Sequence, residues 1–347
     1  MKIINLKENL LVGIVIILVS CGGKKEGNMG SYAYDAQFLK DNGVEYIELV
    51  SSDGNSKVMI VPAWQGRVMT TSASGDDGDS YGWINYRFIQ EGKVSPQFNP
   101  VGGEERFWLG PEGGPFSLYF KQGQEQVYEN WIVPSVIDTE AFVIESQDSS
   151  NVRFVKDARL TNASGTVFDM NIERQVSLMG IEEVVTDFGL ELPQNVKMVA
   201  YRSDNKITNT GNTSWTKKSG LISIWMLGCF NPSPTTTVFI PYKRNVEGAI
   251  VNDEYFGKIP EDRLIKEDGI IYFKIDGKYR SKLGLPALRA TNLCGSYDSS
   301  KGVLTILWCS LPEVPSVYVN GQWGEQEEPY AGDVINSYND GPVEDGS

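Results

Sequence analysis

The sequence predicts an all-β protein, and three observations carry that reading. Runs rich in Val, Ile, Thr, Phe and Tyr recur at short spacing, turn-forming residues stand between them, and helical periodicity is scarce. Many short strands punctuated in this way argue a large antiparallel sandwich or barrel.

The first hairpin joins residues 45–51 to 57–63 through Asp53-Gly54-Asn55, a strong tight-turn signal. Residues 66–72 follow as a third strand. Residues 141–147, 152–160 and 167–178 continue the meander across Asp148-Ser149-Ser150-Asn151 and Asn162-Ala163-Ser164-Gly165. Further strands are predicted at 184–192, where acidic residues interrupt the apolar pattern, and at 219–227, 236–240, 270–275, 289–296 and 303–310. Pro260-Glu261-Asp262-Arg263-Leu264 is predicted to open one short helix, since proline suits a first helical turn. Residues 336–342 are turn-rich, so no closing strand is expected there and the domain is expected to continue past Ser347.

Lys2 and Lys7 precede an apolar run over residues 10–19 that ends in small residues and a cysteine. That order is a secretory signal peptide, and Leu18-Val19-Ser20-Cys21 resembles the lipobox of bacterial lipoproteins. The resemblance implies cleavage before Cys21, lipidation of its sulfur, and a membrane-anchored life in the cell envelope, facing the periplasm. Residues 1–20 are therefore read as signal peptide, 21–32 as a Gly-rich flexible tether, and 33–347 as one β domain. The apolar run falls short of the roughly 20 residues a spanning helix needs.

Without residues 1–20 the chain keeps 29 basic and 44 acidic residues, a net charge of about −15. That balance repels phosphate backbones and argues against a nucleic-acid partner. Cys229, Cys294 and Cys309 remain after Cys21, an odd number with no CxxC spacing, and are expected as packed thiols. Histidine is absent. A Ser-His-Asp triad, a Cys-His pair and a His-ligated metal are excluded, so acid–base chemistry falls to Asp, Glu, Tyr, Lys or Cys. Asp76-Asp77-Gly78-Asp79 clusters oxygens but lacks the ligand spacing of a calcium loop; neither a metal nor a cofactor is expected.

Residues 102–116 gather Glu104, Glu105, Arg106, Trp108 and Glu112 among glycines, without regular strand alternation, and read as a functional loop. Arg106 offers paired donors, Trp108 an apolar face for a pyranose, and the three glutamates proton carriers. The same residues also suit a structural role, with Arg106 paired to a neighbouring Glu and Trp108 plugging one end of a sandwich. Other aromatic–polar groupings are residues 62–67 with Arg67, Gly82-Trp83-Ile84-Asn85, Asn130-Trp131, and Gly321-Gln322-Trp323 with Tyr338-Asn339-Asp340. Residues 276–284 place Arg280 and Lys282 by a turn. A solvated hairpin is expected there, although both cations suit a carboxylated ligand.

The order of residues 62–67, 103–114, Asn130-Trp131, 213–227 and 292–298 resembles the galactose mutarotase-like β-supersandwich, and within it bacterial lipoproteins related to the aldose 1-epimerases. The resemblance implies one large antiparallel domain whose concave face holds a carbohydrate, with Arg67, the Glu104–Glu112 loop and Trp131 near that face. Aldose 1-epimerases use histidines as general acid and sugar ligands, and a glutamate near the domain's C-terminal end as base. This chain has no histidine, and that glutamate's strand would lie beyond Asn339-Asp340, so no catalytic residue carries over. Three readings follow. A sugar-active enzyme of epimerase or lyase type would use Glu104, Glu105 or Glu112 with a pKa raised by burial. A carbohydrate-binding lipoprotein without turnover fits the missing histidine. An envelope β-protein would use its aromatics to hold another protein.

Overall fold

The computed structural model describes residues 28–341, apart from residues 190, 194, 315–316 and 325; Cys21 and the signal peptide lie outside the described residues. Helix α1 (Tyr32–Asp41) comes first, then β1 (Ile47–Val50), β2 (Lys57–Val61) and β3 (Arg67–Ser72). Helix α2 (Tyr86–Glu91), β4 (Arg106–Gly110), β5 (Val143–Gln147), β6 (Asn151–Thr161), β7 (Val167–Leu178) and α3 (Ile181–Phe188) follow. The second half holds β8 (Tyr201–Asn209), β9 (Ser223–Leu227), β10 (Thr236–Pro241), β11 (Leu264–Glu267) and β12 (Ile270–Lys274). It ends with β13 (Ser281–Pro286), β14 (Leu293–Asp298), β15 (Val303–Trp308) and β16 (Asp333–Asn339).

These strands form sheets ordered β1-β2-β3, β5-β6-β7-β8 and β11-β12-β10-β14-β15, with two-stranded pairs β4-β9 and β13-β16. Every ladder between named strands is antiparallel. The all-β antiparallel class expected from the sequence is the one the molecule adopts. One core cluster gathers Phe107, Trp108 and Leu109 of β4 with Phe154 of β6 and Met170 and Ile172 of β7. Another is built on Ile240, Ile271, Phe273, Leu283 and Leu285 from β10, β12 and β13.

Five local expectations are corrected. Residues 28–32 are part of the folded domain, not tether: Ser31 caps α1 by accepting from the Tyr34 N–H at 3.3 Å, and Tyr32 is fully buried. Asp35 of α1 accepts from the Ser80 and Tyr86 hydroxyls, which fixes the helix to the body. The strand expected at 184–192 is replaced by α3, because Ile181, Val184, Val185 and Phe188 repeat at three and four residues and Gly189 stops the turn in the left-handed region at φ 59°. The helix expected at Pro260 is a turn entering β11, whose Leu264 packs inward while Ile265 to Glu267 stay exposed. Residues 106–110 are strand β4 rather than loop, and residues 333–339 are strand β16 rather than turn.

Candidate active site

Two strand pairs face each other and create the site. Directly opposed residues of an antiparallel pair share a face, and so do alternate residues along a strand. In β4–β9, Trp108 opposes Trp225 and Arg106 opposes Leu227. In β13–β16, Lys282 opposes Tyr338. The two faces meet where Trp225 stacks on Tyr338, with ring centroids 6.3 Å apart and planes inclined by 29°.

Lys282 sits at this junction with only 6% of its surface exposed. Its ammonium nitrogen lies 4.1 Å from the Tyr255 ring centre, 4.8 Å from that of Tyr338 and 5.6 Å from that of Trp225. Among the described residues it has no hydrogen bond and no ion pair, whereas buried lysines are ordinarily paired. Burial pushes its pKa down to about 8, against the opposing pull of Glu112 and Asp333. Desolvation disfavours the charged amine, and the ring faces return part of that cost as cation–π attraction, about 1–2 kcal/mol.

Two carboxyls flank the amine, each oriented by an aromatic donor. The Trp108 indole N–H donates to Glu112 Oε1 at 2.7 Å, and the Tyr255 hydroxyl donates to Asp333 Oδ2 at 2.5 Å. Burial raises both pKa values, outweighing the Trp108 bond and the Lys282 and Arg106 charges at Glu112, and the Tyr255 and Asn252 bonds and Lys282 at Asp333. Gly284 makes room for Asp333: a β-carbon there would lie 2.1 Å from Asp333 Oδ2. Beneath Glu112, the Arg106 guanidinium lies 3.7 Å from the Trp108 ring centre and pairs with Asp138 at 3.3 Å. Burial lowers the Arg106 pKa to about 10, partly offset by Asp138, so it stays a cation at neutral pH.

The residues singled out from the sequence divide between this site and the interior. Arg106, Trp108 and Glu112 belong to the wall of the site, with Arg106 and Trp108 themselves buried. Trp131 is a core residue, 8% exposed, stacked against Tyr119 at 5.6 Å and Tyr128 at 6.2 Å, so its ring is enclosed rather than offered to a sugar. Arg67, 1% exposed, is spanned by backbone, donating to the Gly102 carbonyl at 2.7 Å while Gly103 packs on its aliphatic stem. Glu105 pairs with buried Arg174 and accepts from Ser203 at 2.6 Å, a structural contact. Glu104 is buried, and burial lifts its pKa to about 7 against the Thr71 hydroxyl that bonds both its oxygens at 3.0 and 2.9 Å.

Sequence reasoning left Tyr255 and Asp333 unmarked and placed Lys282 on a solvated hairpin. The signal for Lys282 was present: Leu283 and Leu285 alternate with Lys282 and Gly284, which is a strand pattern. Nothing local marks Tyr255 or Asp333, since their partnership spans 78 residues. A separate cavity of about 510 Å³ lies between Val94–Pro96, Leu118–Gln124 and Asn130–Ser135. Its charged lining groups are Lys121 and Asp138, and Asp138 is already held by Arg106 and Asn99, so it offers little chemistry.

The model of a family of unknown function, DUF6786, matches residues 30–347. No curated protein matches the chain. Among solved structures the chain is similar to Slr1438 protein from Synechocystis sp. PCC 6803, at 13% identity over 74% of each chain with a TM-score of 0.42. It is also similar to a candidate aldose 1-epimerase from Escherichia coli K12, at 12% identity over 76% of this chain and 77% of that one, TM-score 0.42. A galactose mutarotase-like protein from Lactobacillus casei ATCC 334 is similar at 11% identity over 78% and 85% of the two chains, TM-score 0.37.

Proposed function

The chain belongs to the DUF6786 family, and we propose that it holds a carbohydrate in the cleft between β4–β9 and β13–β16. One observation carries this reading: a largely enclosed lysine whose amine has no hydrogen bond among the described residues, faced by three aromatic rings and close to two oriented carboxyls. A saccharide presents an apolar ring face edged by hydroxyls that both donate and accept. Trp225 and Tyr338 supply stacking surface, Glu112 and Asp333 accept or donate according to protonation, and Lys282 donates. Unpaired buried polar groups gain most from a ligand that completes their hydrogen bonds.

Turnover of epimerase type is the reading favoured by the titration behaviour of the same groups. An amine lowered to about 8 and two carboxyls raised by burial are groups that could carry protons without histidine. A carboxylate taking the anomeric hydroxyl proton while Lys282 delivers one to the ring oxygen would open a pyranose, and the reverse steps would close it on either face. The protein-contact alternative loses the anchors that the sequence suggested, because Trp108 and Trp131 are enclosed; Trp308, 53% exposed, lies on β15 of another sheet.

Titrating the protein with a panel of aldoses, uronic acids and oligosaccharides should change indole fluorescence. Trp225→Ala and Lys282→Met should each weaken binding at least about tenfold, the scale of a lost stacking or charged contact. A folded wild type that responds to none of the panel removes the carbohydrate reading. Polarimetry of freshly dissolved α-galactose or α-glucose separates enzyme from binder: binding with no faster mutarotation leaves binding alone.

The lipobox-like residues support an envelope lipoprotein anchored through Cys21. Cys21→Ser is then expected to move the protein from the membrane to the soluble fraction, and equal partition of variant and wild type would remove the anchor.

A further inference from the structure

We infer that the Lys282 amine captures an aldehyde carbonyl as an imine, which directs the cleft toward open-chain aldoses and other small aldehydes. This inference rests on the cleft being the ligand site. Lysine is the amine that forms Schiff bases when desolvated among apolar groups, and Lys282 is the buried lysine among the described residues, without the carboxylate partner that Lys57, Lys156, Lys206, Lys258, Lys266 and Lys274 have. The other nucleophiles near the cleft are suppressed. Burial pushes up the Cys229 thiol and the Tyr255 and Tyr338 phenols, all of which stay protonated at neutral pH.

The surroundings suit each step. The neutral amine adds its lone pair to the carbonyl carbon, and a proton passes from nitrogen to the new alkoxide, giving a carbinolamine. A protonated carboxyl, Glu112 or Asp333, then donates to the carbinolamine hydroxyl, the C–O bond breaks, and water leaves. The product is a protonated imine facing the carboxylate so formed. That product is a cation on the position the ammonium held, so the faces of Tyr255, Tyr338 and Trp225 attract it as they attract Lys282 itself. Hydrolysis by the same steps in reverse returns the free amine.

The test uses the whole protein, glyceraldehyde as probe, and cyanoborohydride to reduce any imine to a stable secondary amine. At pH 7.5, peptide mapping should find Lys282 modified at least about tenfold faster than the mean surface lysine, because more of its amine is unprotonated. Raising the pH to 10 should shrink that preference to a few-fold, because surface amines then lose their protons as well. Lys282→Arg should leave surface labelling as in wild type with no adduct at residue 282. Labelling of Lys282 at or below the surface mean overturns the inference, whether through a charged amine or a closed cleft. The saccharide titration, run on the same preparation, keeps the two readings apart. Binding without Lys282 adducts overturns imine capture alone, whereas Lys282 adducts without saccharide binding support capture and remove the carbohydrate reading.

Discussion

Arg174 donates to the Gly66 carbonyl, to Asn205 Oδ1 and to Glu105, and Ser203 donates to the second oxygen of Glu105. Arg106 is similarly committed, to Asp138 and to the Ile137 carbonyl. Such groups repay their desolvation inside the protein, and removing one partner would strand the other. Lys282 has no comparable commitment, and Glu112 and Asp333 each keep acceptor capacity beyond the donors that orient them. The contrast separates structure from function at the level of one side chain. Charge type and proximity to aromatic residues look alike in the sequence at Arg106 and Lys282; the difference lies in what distant segments bring to them.

At the scale of elements, the β13–β16 pair is what assembles the site. Gly284 exchanges both backbone hydrogen bonds with Asn252 at 2.8 Å and opposes Asn336, so its backbone is fixed on two sides. Gly284→Ala would drive a methyl into Asp333 Oδ2. The expected outcome is a loss of about 1–3 kcal/mol by overpacking, read as a lower urea midpoint, together with weaker saccharide binding as Asp333 leaves Tyr255. Wild-type stability and binding in this variant would show that Asp333 is not held as described. The strands that build the body, such as β7 with its alternating inward Phe168, Met170 and Ile172, were legible because one face is buried and the period of two shows. Strand β4 was not, since all five residues are buried and alternation vanishes. Strand β16 was hidden because Asn336, Ser337 and Asn339 carry the composition of a turn, and pairing with β13 overrides that propensity. Within the Glu104–Glu112 segment only Glu112 feels the Lys282 charge, while Glu104 and Glu105 are held by Thr71 and Arg174, and residues 106–110 form strand β4 where the sequence suggested loop.

For the whole molecule, the buried titrating groups act on stability in opposite directions along the pH scale. Although burial alone would raise it, Asp276 is held well below the usual carboxylate range by Arg263, the Lys278 N–H and Asn339; Thr235 does the same for Asp298. Their stabilisation is present above about pH 4 and disappears as acid protonates the folded state. Glu104 runs the other way. With its pKa raised to about 7, the folded state binds the proton more tightly than the unfolded chain, so stability falls as pH rises from 4.5 toward 7. Glu112 and Asp333 add to that decline. Lys282, with its pKa lowered to about 8, makes the unfolded chain the better proton binder, so its penalty is full below 8 and fades as pH climbs toward 10.5. Above about pH 10 the raised phenols of Tyr119 and Tyr201 count against the fold again. Stability should therefore pass through a minimum near pH 7–8, with Glu104 and Lys282 each contributing up to about 3 kcal/mol to its depth. Guanidinium unfolding at pH 5, 7.5 and 9.5 should give the lowest free energy at 7.5. Glu104→Gln should raise the value at 7.5 while leaving that at pH 5 nearly unchanged, and Lys282→Met should raise it at 7.5 more than at 9.5. A profile that peaks at pH 7.5, unchanged in shape by either substitution, would mean that neither group is buried with the proton affinity assigned to it, and the cleft would lose the amine on which its chemistry depends.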